Sequence, residues 1–442
     1  MSDQPAPQLW QTVQPVDLVP ANPDKTQQQS IQIAARQGAG FPVAGGQIAH
    51  AIESRATHMM LDFTAQACGV NYQIDGQWEA LPPLPRDVSD AMLFALKQLA
   101  EMNPADRRSP QQGKMKTKVN KDKYLIRIQS QGSPNGERAM VRIEPENSPF
   151  KKLSELGMRD KMVETTKELL NKEGSFAIVS APKSGGLTTT WEVCMESADR
   201  LIRDFQALEP EGSTEPEIIN INPQYYGQEI SASDLLRKII LKEPDVFVLP
   251  VIPSAETLQT ILEQITKNDK AVFTRVNAGS CIEALVQVLQ QYPEQADAII
   301  DSTSMVLNQR LVRRLCENCR QAFQPPPQLL AQLRIPPGRV QFLYQPFVMP
   351  PIEQQVDANG NPAPIQPCGH CSGRSYKGRV GIFELLTPGP ELKAALKKTR
   401  DIAQLTQIAS SEGHRDMQSE GVLTLARGIT SLDELKRIFS SR

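Results

Sequence analysis

The chain has 442 residues, 40% of them apolar, which is enough for more than one domain with its own core. A formal net charge of −2 and the lack of a basic block argue against a dedicated nucleic-acid binder. The start, MSDQPAPQLW, lacks the apolar core of a secretory signal, and no apolar run approaches the roughly 18 residues that span a bilayer, so a cytosolic protein is expected.

Residues 1–30 are rich in Gln and Pro without hydrophobic periodicity, and a flexible lead-in is expected there. Residues 31–149 read as a small α+β domain. IAHAIESRATHMMLDF looks like a helix running into a strand, and CGVNYQIDGQWEAL like a hairpin turning at Asp75-Gly76. DAMLFALKQLAEM has helical spacing, and YLIRIQSQGSPNGERAMVRIE reads as two strands joined between Gly132 and Gly136.

From Phe150 to Val312 strands alternate with helices. A helical stretch ends at Gly174, and the strand FAIVSA and a loop follow. TTTWEVCMESADRLIRDF is predicted as a helix, PDVFVLPVI as a buried strand and SAETLQTILEQITKN as a helix. AVFTRV is a strand and SCIEALVQVLQQ a helix. This alternation implies a mostly parallel sheet covered on both faces. Residues 313–376 hold two cysteine pairs and a Pro-rich insert, QPFVMPPIEQQVDANGNPAPIQP, expected to be a mobile loop; helices are expected over 377–442.

There are seven cysteines, and an odd count without a secretory signal argues against a disulfide framework and for a reducing compartment; four of them form two C-x-x-C pairs. Cys316-Glu-Asn-Cys319 and Cys368-Gly-His-Cys371 are separated by 48 residues. Two such pairs can close a tetrahedral thiolate site for zinc with no open position, so its role would be structural. The plain alternative is four reduced thiols without metal. His370, inside the second pair, is expected to be exposed rather than a ligand.

The loop after FAIVSA reads SAPKSGGLTTTW. A phosphate-binding loop needs G-x-x-x-x-G-K-[ST]. Here the series is Ala181, four residues, Gly186, Leu187 and Thr188: the second glycine and the hydroxyl are present, and the lysine is a leucine.

Several segments converge on one family. RRSPQQGKM with SPNGERAMVRI, PDVFVLP, LNQRLVRRLCENC, CGHCSGRSYKGRVGIFELL and SSEGHRDMQSEGVLTLARGITSLDELKRI follow one another in order. Over about Ile48 to Ser441 the chain resembles the secretion ATPases that power type II secretion and type IV pilus assembly. The resemblance implies an α/β fold: a PAS-like α+β N-terminal domain, then a RecA-like P-loop NTPase domain, a tetracysteine zinc subdomain and C-terminal helices. It implies a hexamer of like chains or of family paralogues, ATP and magnesium between the two domains, and a cytoplasmic place, peripheral to an inner-membrane platform protein. It implies no nucleic acid.

Carried over by this resemblance, the nucleotide-contacting positions are Pro182, Lys183, Ser184, Gly185, Gly186, Thr188 and Thr189; Pro182, Gly186, Thr188, Thr189 and Thr190 match the family, while Ala181 and Ser184 replace its first and middle glycines. Asp245 follows Pro244 at the Walker B strand, and Arg127 and Arg142 correspond to arginines that reach nucleotide from the N-terminal domain. The catalytic set departs from the pattern. Leu187 stands for the phosphate lysine, Val251 for the glutamate that polarises water, and Asn277 for a histidine; of the acidic box, Leu208-Glu209-Pro210 keeps one carboxylate. A lost lysine and a lost carboxylate are worth roughly 3 kcal/mol each in transition-state stabilisation. Three readings follow: a pseudo-ATPase acting through assembly, an active or weakly active motor using Lys183 and Glu209 in a rearranged site, and a module that binds another ligand in the old cleft.

Overall fold

The computed structural model describes residues 8–134, 136–213, 215–351, 353, 355, 361 and 363–440. The chain folds as two compact units that part between Pro149 and Phe150.

The first unit is one antiparallel sheet with helices on a single face. Its strands are β1 (Leu18–Pro20), β2 (Ala56–Phe63), β3 (Ala67–Ile74), β4 (Gln77–Pro85), β5 (Gln111–Val119), β6 (Asp122–Ser133) and β7 (Gly136–Pro145), in the order β1-β5-β6-β7-β2-β3-β4. Alternate residues such as Ile126, Ile128, Ala139 and Val141 point into the core, as the two-residue period of a half-buried strand requires. Against them pack the helices Lys25–Arg36, Gly40–Glu53 and Arg86–Leu99 through Ala35, Ile48, Met92 and Leu96. The β3–β4 hairpin turns at Asp75 (φ 50°) and Gly76 (φ 82°), the two left-handed residues a tight hairpin favours.

The expected flexible lead-in is corrected for residues 8–30. Leu18 is fully buried, and β1 pairs with β5 from Leu18↔Thr117 to Pro20↔Met115. The chain before β1 crosses Gly40–Glu53 where Gly45 and Gly46 leave room: Val16 N donates to Gly45 O at 3.2 Å, and a Cβ on Gly46 would lie 2.5 Å from Trp10 O. Asp24 caps the next helix by accepting from Thr26 N and Gln27 N. That helix buries only Ala35, which is why its Gln-rich sequence lacks an apolar stripe. Residues 1–7 of the expected lead-in lie outside the described residues.

The second unit is α/β. Its main sheet contains β8 (Ser175–Ser180), β9 (Phe205–Pro210), β10 (Ile221–Tyr226), β11 (Val246–Leu249), β12 (Ala271–Val276), β13 (Thr303–Leu315) and β16 (Tyr376–Leu386). The order is β10-β9-β11-β12-β8-β13-β16; all neighbours are parallel except β13 with β16. A small ladder pairs β14 (Gln321–Phe323) with β15 (Leu343–Gln345). One face buries Trp191, Phe205 and Phe273 under the helix Leu187–Ser197, the other Phe247, Leu262 and Leu285 under Ala255–Asn268 and Cys281–Gln291. Helices Pro390–Leu396, Ile402–Ser411, Met417–Ala426 and Leu432–Ser440 follow β16.

The helix expected over 188–205 stops at Ser197, and β9 follows it. Of the Pro-rich insert expected to be a mobile loop, residues 352, 354, 356–360 and 362 lie outside the described residues; within it, Gln355 is buried and its Nε2 donates to Pro350 O at 2.8 Å.

In the first unit, Lys97 and Glu137 form an ion pair with side chains only 1% and 4% exposed, and Lys97 Nζ also donates to Asp106 O at 2.7 Å. Lys97→Met strands the carboxylate and should cost about 3–5 kcal/mol, whereas Lys97→Met with Glu137→Leu should recover much of that loss. Urea unfolding followed by fluorescence of Trp10 and Trp78 reads both; a single variant as stable as the parent would show the pair to be dispensable.

Candidate functional site

All parallel strands of the second unit end at the same edge, where open α/β sheets bind ligands. Ala181–Gly186 follows β8, Asn277–Gly279 follows β12, Pro250-Val251 follows β11, and Glu209 lies near the end of β9. Ala278 N donates to Ala181 O at 3.2 Å, so the loop and the segment holding Asn277 touch.

The loop is tightly wound. Gly185 N donates to Pro182 O at 2.8 Å, and Ser184 (φ 61°) and Gly186 (φ 89°) are left-handed. Two buried amides on β13 hold it. Gln309 Nε2 donates to Gly185 O at 2.7 Å, and its Oε1 accepts from the Thr190 hydroxyl. Asn308 Nδ2 donates to Ser180 Oγ at 2.8 Å and to Ala278 O at 3.0 Å. A Cβ on Gly186 would lie 2.7 Å from Gln309 Nε2, so this glycine is needed for space as well as for its dihedral.

Lys183, Ser184 and Thr188 are exposed, Pro182 and Thr189 are half-buried, and Gly185 is buried. Leu187 is half-buried and packs against the cluster that includes Trp191 and Met195. The first helical turn after the loop therefore contributes an apolar contact where the family pattern places a cation. Val251 and Asn277 are both exposed at the strand ends.

Asp245 is corrected. It precedes β11 and so stands at the opposite edge of the sheet from the loop, a strand of four residues, or about 13 Å, away. There its Oδ2 accepts from Asp204 N at 2.9 Å, and its Oδ1 lies 3.9 Å from Lys270 Nζ. It ties strand starts together and does not reach the loop.

Arg127 and Arg142, in the first unit, are direct cross-strand neighbours on β6 and β7. Both lean on Glu144, with Arg127 Nε at 3.2 Å from Oε2 and Arg142 Nη2 at 2.6 Å from Oε1. Lys114 and His58 extend the same row across β5 and β2.

Beside the helix that follows the loop lies a cleft of 460 Å³ walled by Trp191, Met195, Ile218 and Tyr225. Glu209 lines it, and burial pushes its carboxyl up; a Ser213 hydrogen bond opposes this, Glu215 adds to it and Arg275 opposes it. Arg275 pairs with Glu215, and its guanidinium carbon sits 5.6 Å from the Trp191 ring centre. Sequence reasoning missed Gln309, Glu215 and Arg275. Arg275 carried a signal, as a charged residue inside an otherwise apolar strand.

The four cysteines converge although 48 residues separate the pairs. All four sulfurs lie within 4.8 Å of one another, with Cys316 Sγ 3.9 Å from Cys368 Sγ and Cys319 Sγ 3.7 Å from Cys371 Sγ. A tetrahedron with metal–sulfur bonds of about 2.3 Å has edges of about 3.8 Å, so the spacing fits zinc. Backbone N–H groups complete the cage. Those of Cys371 and His370 hold the Cys368 thiol down to about 7, and Ser375 N donates to Cys371 Sγ at 3.3 Å. His370 is exposed and its Nδ1 lies 3.4 Å from Lys377 Nζ.

A family model described as "Type II/IV secretion system protein" matches residues 42–437. The chain is 25% identical over 394 residues to a putative type II secretion system protein E of Escherichia coli K12, covering 89% of this chain and 76% of that protein. It is 25% identical over 382 residues to the type IV pilus assembly ATPase PilB of Pseudomonas aeruginosa, covering 84% of this chain and 62%, less than two thirds, of PilB. In fold it is similar to the Legionella pneumophila ATPase DotB, with a TM-score of 0.56, 12% identity and coverage of 90% and 95%. It is likewise similar to the pilus retraction motor PilT with bound ADP, with a TM-score of 0.51, 17% identity and coverage of 89% and 95%. At these identities the likeness to the solved structures is one of fold alone.

Because Gln309 bonds both the Gly185 carbonyl and the Thr190 hydroxyl, Gln309→Ala should leave these groups unpaired and cost about 1–3 kcal/mol. Hydrogen exchange across residues 183–190 should accelerate at the same time. Unchanged protection there would show that the loop holds its shape unaided.

Proposed function

The chain belongs to the type II/IV secretion system protein family, and from that premise we propose that it is a member which does not hydrolyse ATP and acts through assembly. It serves as a structural or regulatory subunit, in a hexameric ring of its own copies or beside an active paralogue, at the cytoplasmic side of an inner-membrane platform. Among the described residues no helix is long and apolar enough to cross a membrane. On this reading the first unit is the PAS-like domain, extended to include residues 8–30. Residues 150–312 are the RecA-like core and 313–376 the zinc subdomain; the helices expected over 377–442 begin only at Pro390, because residues up to Leu386 form β16, the edge strand of the main sheet.

The observation that carries the reading is Leu187. At the position where a phosphate loop supplies its lysine, this side chain packs on the apolar cluster beneath the helix. Val251 offers no proton acceptor at the end of β11, and Asn277 takes the histidine position. Phosphoryl transfer depends almost wholly on positioning and electrostatic stabilisation, so these changes remove its main sources. The backbone cradle of the loop and the positive end of the helix Leu187–Ser197 remain, and these support anion binding without turnover.

The thiolate cage supports a structural zinc held by Cys316, Cys319, Cys368 and Cys371. When bound, zinc supplies four closed bonds that join the end of β13 to the segment before β16. These four thiolates would fill all the positions of a tetrahedral ion and leave none for a substrate.

The zinc-loaded full chain should show no magnesium-ATP turnover above a blank, and Lys183→Ala should leave that result unchanged. Turnover that Lys183→Ala abolishes would overturn the reading in favour of a rearranged active site. Elemental analysis should find one zinc per chain, reduced in Cys316→Ser together with faster hydrogen exchange over 316–320 and 368–375. Four titratable thiols in protein made with ample zinc would rule the metal out.

A further inference from the structure

We infer that zinc occupancy of the cysteine cage governs the docking of the last helix and, through that helix, the seating of Gly279 beside the loop. The inference rests on the reading of the cage as a zinc site and not on the loss of hydrolysis.

The cage closes an irregular end of the β13–β16 pair. The ladder runs from Val306↔Leu386 to Arg313↔Arg379, shifts register there, and has one further pair, Leu315↔Tyr376. Such an interruption leaves the last pair poorly held by the ladder itself. Past that pair Cys316 N donates to Ser375 O at 2.9 Å, and then the four thiols meet. The cage is therefore what fixes the two strand ends against each other, and metal binding to such a set is coupled to the folding of the chain around it.

The chain entering the last helix is built on those same ends. Arg320 Nη1 donates to Gly428 O, and Gly428 (φ 69°) lies so close to the Tyr344 ring that a Cβ would come within 2.6 Å of it. Leu315 N donates to Ile429 O at 2.9 Å, and the Thr430 hydroxyl donates to Arg313 O at 2.8 Å. The hydroxyls of Tyr376 and Ser431 share a hydrogen bond of 2.7 Å. Arg313 donates to Glu434 from both its backbone N and its Nε, each at 2.9 Å. Every one of these polar partners is a close sequence neighbour of a cage cysteine. Thr430, Ser431 and Glu434 are fully buried, so bonds lost there would leave polar groups without water.

The far end of the helix reaches the candidate site. Arg310 Nη1 donates to Ile438 O at 3.1 Å, and its guanidinium carbon lies 5.7 Å from the Phe439 ring centre. Its Nη2 donates to Gly279 O at 3.1 Å. Gly279 adjoins Ala278, whose N donates to Ala181 O at the start of the loop. The helices Pro390–Leu396 and Ile402–Ser411 stand apart from the cage. Their Leu392, Leu396, Leu405 and Ala409 belong to the core cluster that also contains Leu262 and Leu285.

The test is hydrogen exchange on the full chain, zinc-loaded and after removal of zinc by a chelator under reducing conditions, with zinc content measured in each sample. Removal should speed exchange over 428–440 and 277–281 at least about fivefold and leave 390–411 unchanged. Binding linkage is reciprocal, so loosening the helix from its other side should weaken the metal. Leu435→Ala trims the cluster of Val312, Ile382 and Met417, which holds no cysteine. It should raise the zinc Kd, read by competition with a colorimetric chelator, at least about fivefold. Arg310→Met should remove the zinc dependence of 277–281 and keep that of 428–437. Exchange over 428–440 that is the same with and without zinc would overturn the inference. So would loosening spread equally over 390–411, or a Leu435→Ala chain whose helix exchanges faster while its zinc Kd is unchanged. A chain that takes up no zinc would overturn the reading of the cage and this inference with it, and the measured zinc content tells that outcome from the others.

Discussion

Two buried amides side by side on β13 hold the edge where the site lies. Asn308 and Gln309 face opposite sides of the sheet, as successive strand residues must. One therefore reaches Ser180 and Ala278 while the other reaches Gly185 and Thr190. The same strand continues outward. Arg310 donates to Gly279 O and Ile438 O, Arg313 meets Glu434 on the terminal helix, and Cys316 begins the thiolate cage. A single strand of 13 residues thus holds the loop and the terminal helix, and the residue after it opens the metal cage. Because backbone polar groups in such a setting must be paired, moving β13 would unmake all of these bonds together.

This arrangement explains how the loop keeps its shape while its charge is gone. A phosphate loop needs backbone geometry, which here comes from Gln309, Ser184 and Gly186, and it needs a cation, which is a separate side chain. The first requirement is tied to the fold and the second is not. Leu187 satisfies the fold better than a lysine would, since it adds apolar contact to the cluster under the helix. A change that abolishes chemistry can therefore leave the architecture intact, because function resides in groups set on the ends of the strands.

Much of this was legible in the chain. The Asp75-Gly76 hairpin, the strand before the loop and the helices over 255–268 and 281–291 have local signals strong enough to stand alone. The cysteine pairs announced their meeting by type and spacing, although the chain between them could not show how it folds back. Other features depend on tertiary partners. Residues 8–30 look unstructured because they bury little of their own, yet Trp10 and Val16 fit against glycines of a helix that comes later. Asp245 matched a motif by its neighbours in sequence, but strand direction sets it at the far edge. Gln309 looks like any polar strand residue until Gly185 and Thr190 are seen beside it.

Leu187 also links the loop to the cleft. Leu187, Trp191 and Met195 recur every four residues, so they form one stripe along the helix Leu187–Ser197. The stripe begins at the loop and ends in the cleft, where Trp191 and Met195 form the wall. A lysine at the first of these positions would break the stripe with a charge one turn from Trp191, whose ring already carries Arg275. With leucine there, the positive charge near the stripe is the Arg275 guanidinium, and Glu215 neutralises it. The edge then divides into two regions of opposite demand. Loop N–H groups and the helix end favour an anion, while the cleft carboxylates repel one. Two like charges at about 4 Å in a setting of effective dielectric near 20 cost about 4 kcal/mol. A polyphosphate reaching from the loop into the cleft would meet that repulsion without a lysine to offset it, so the leucine that removes the cation from the loop also completes the apolar wall of an acidic cleft.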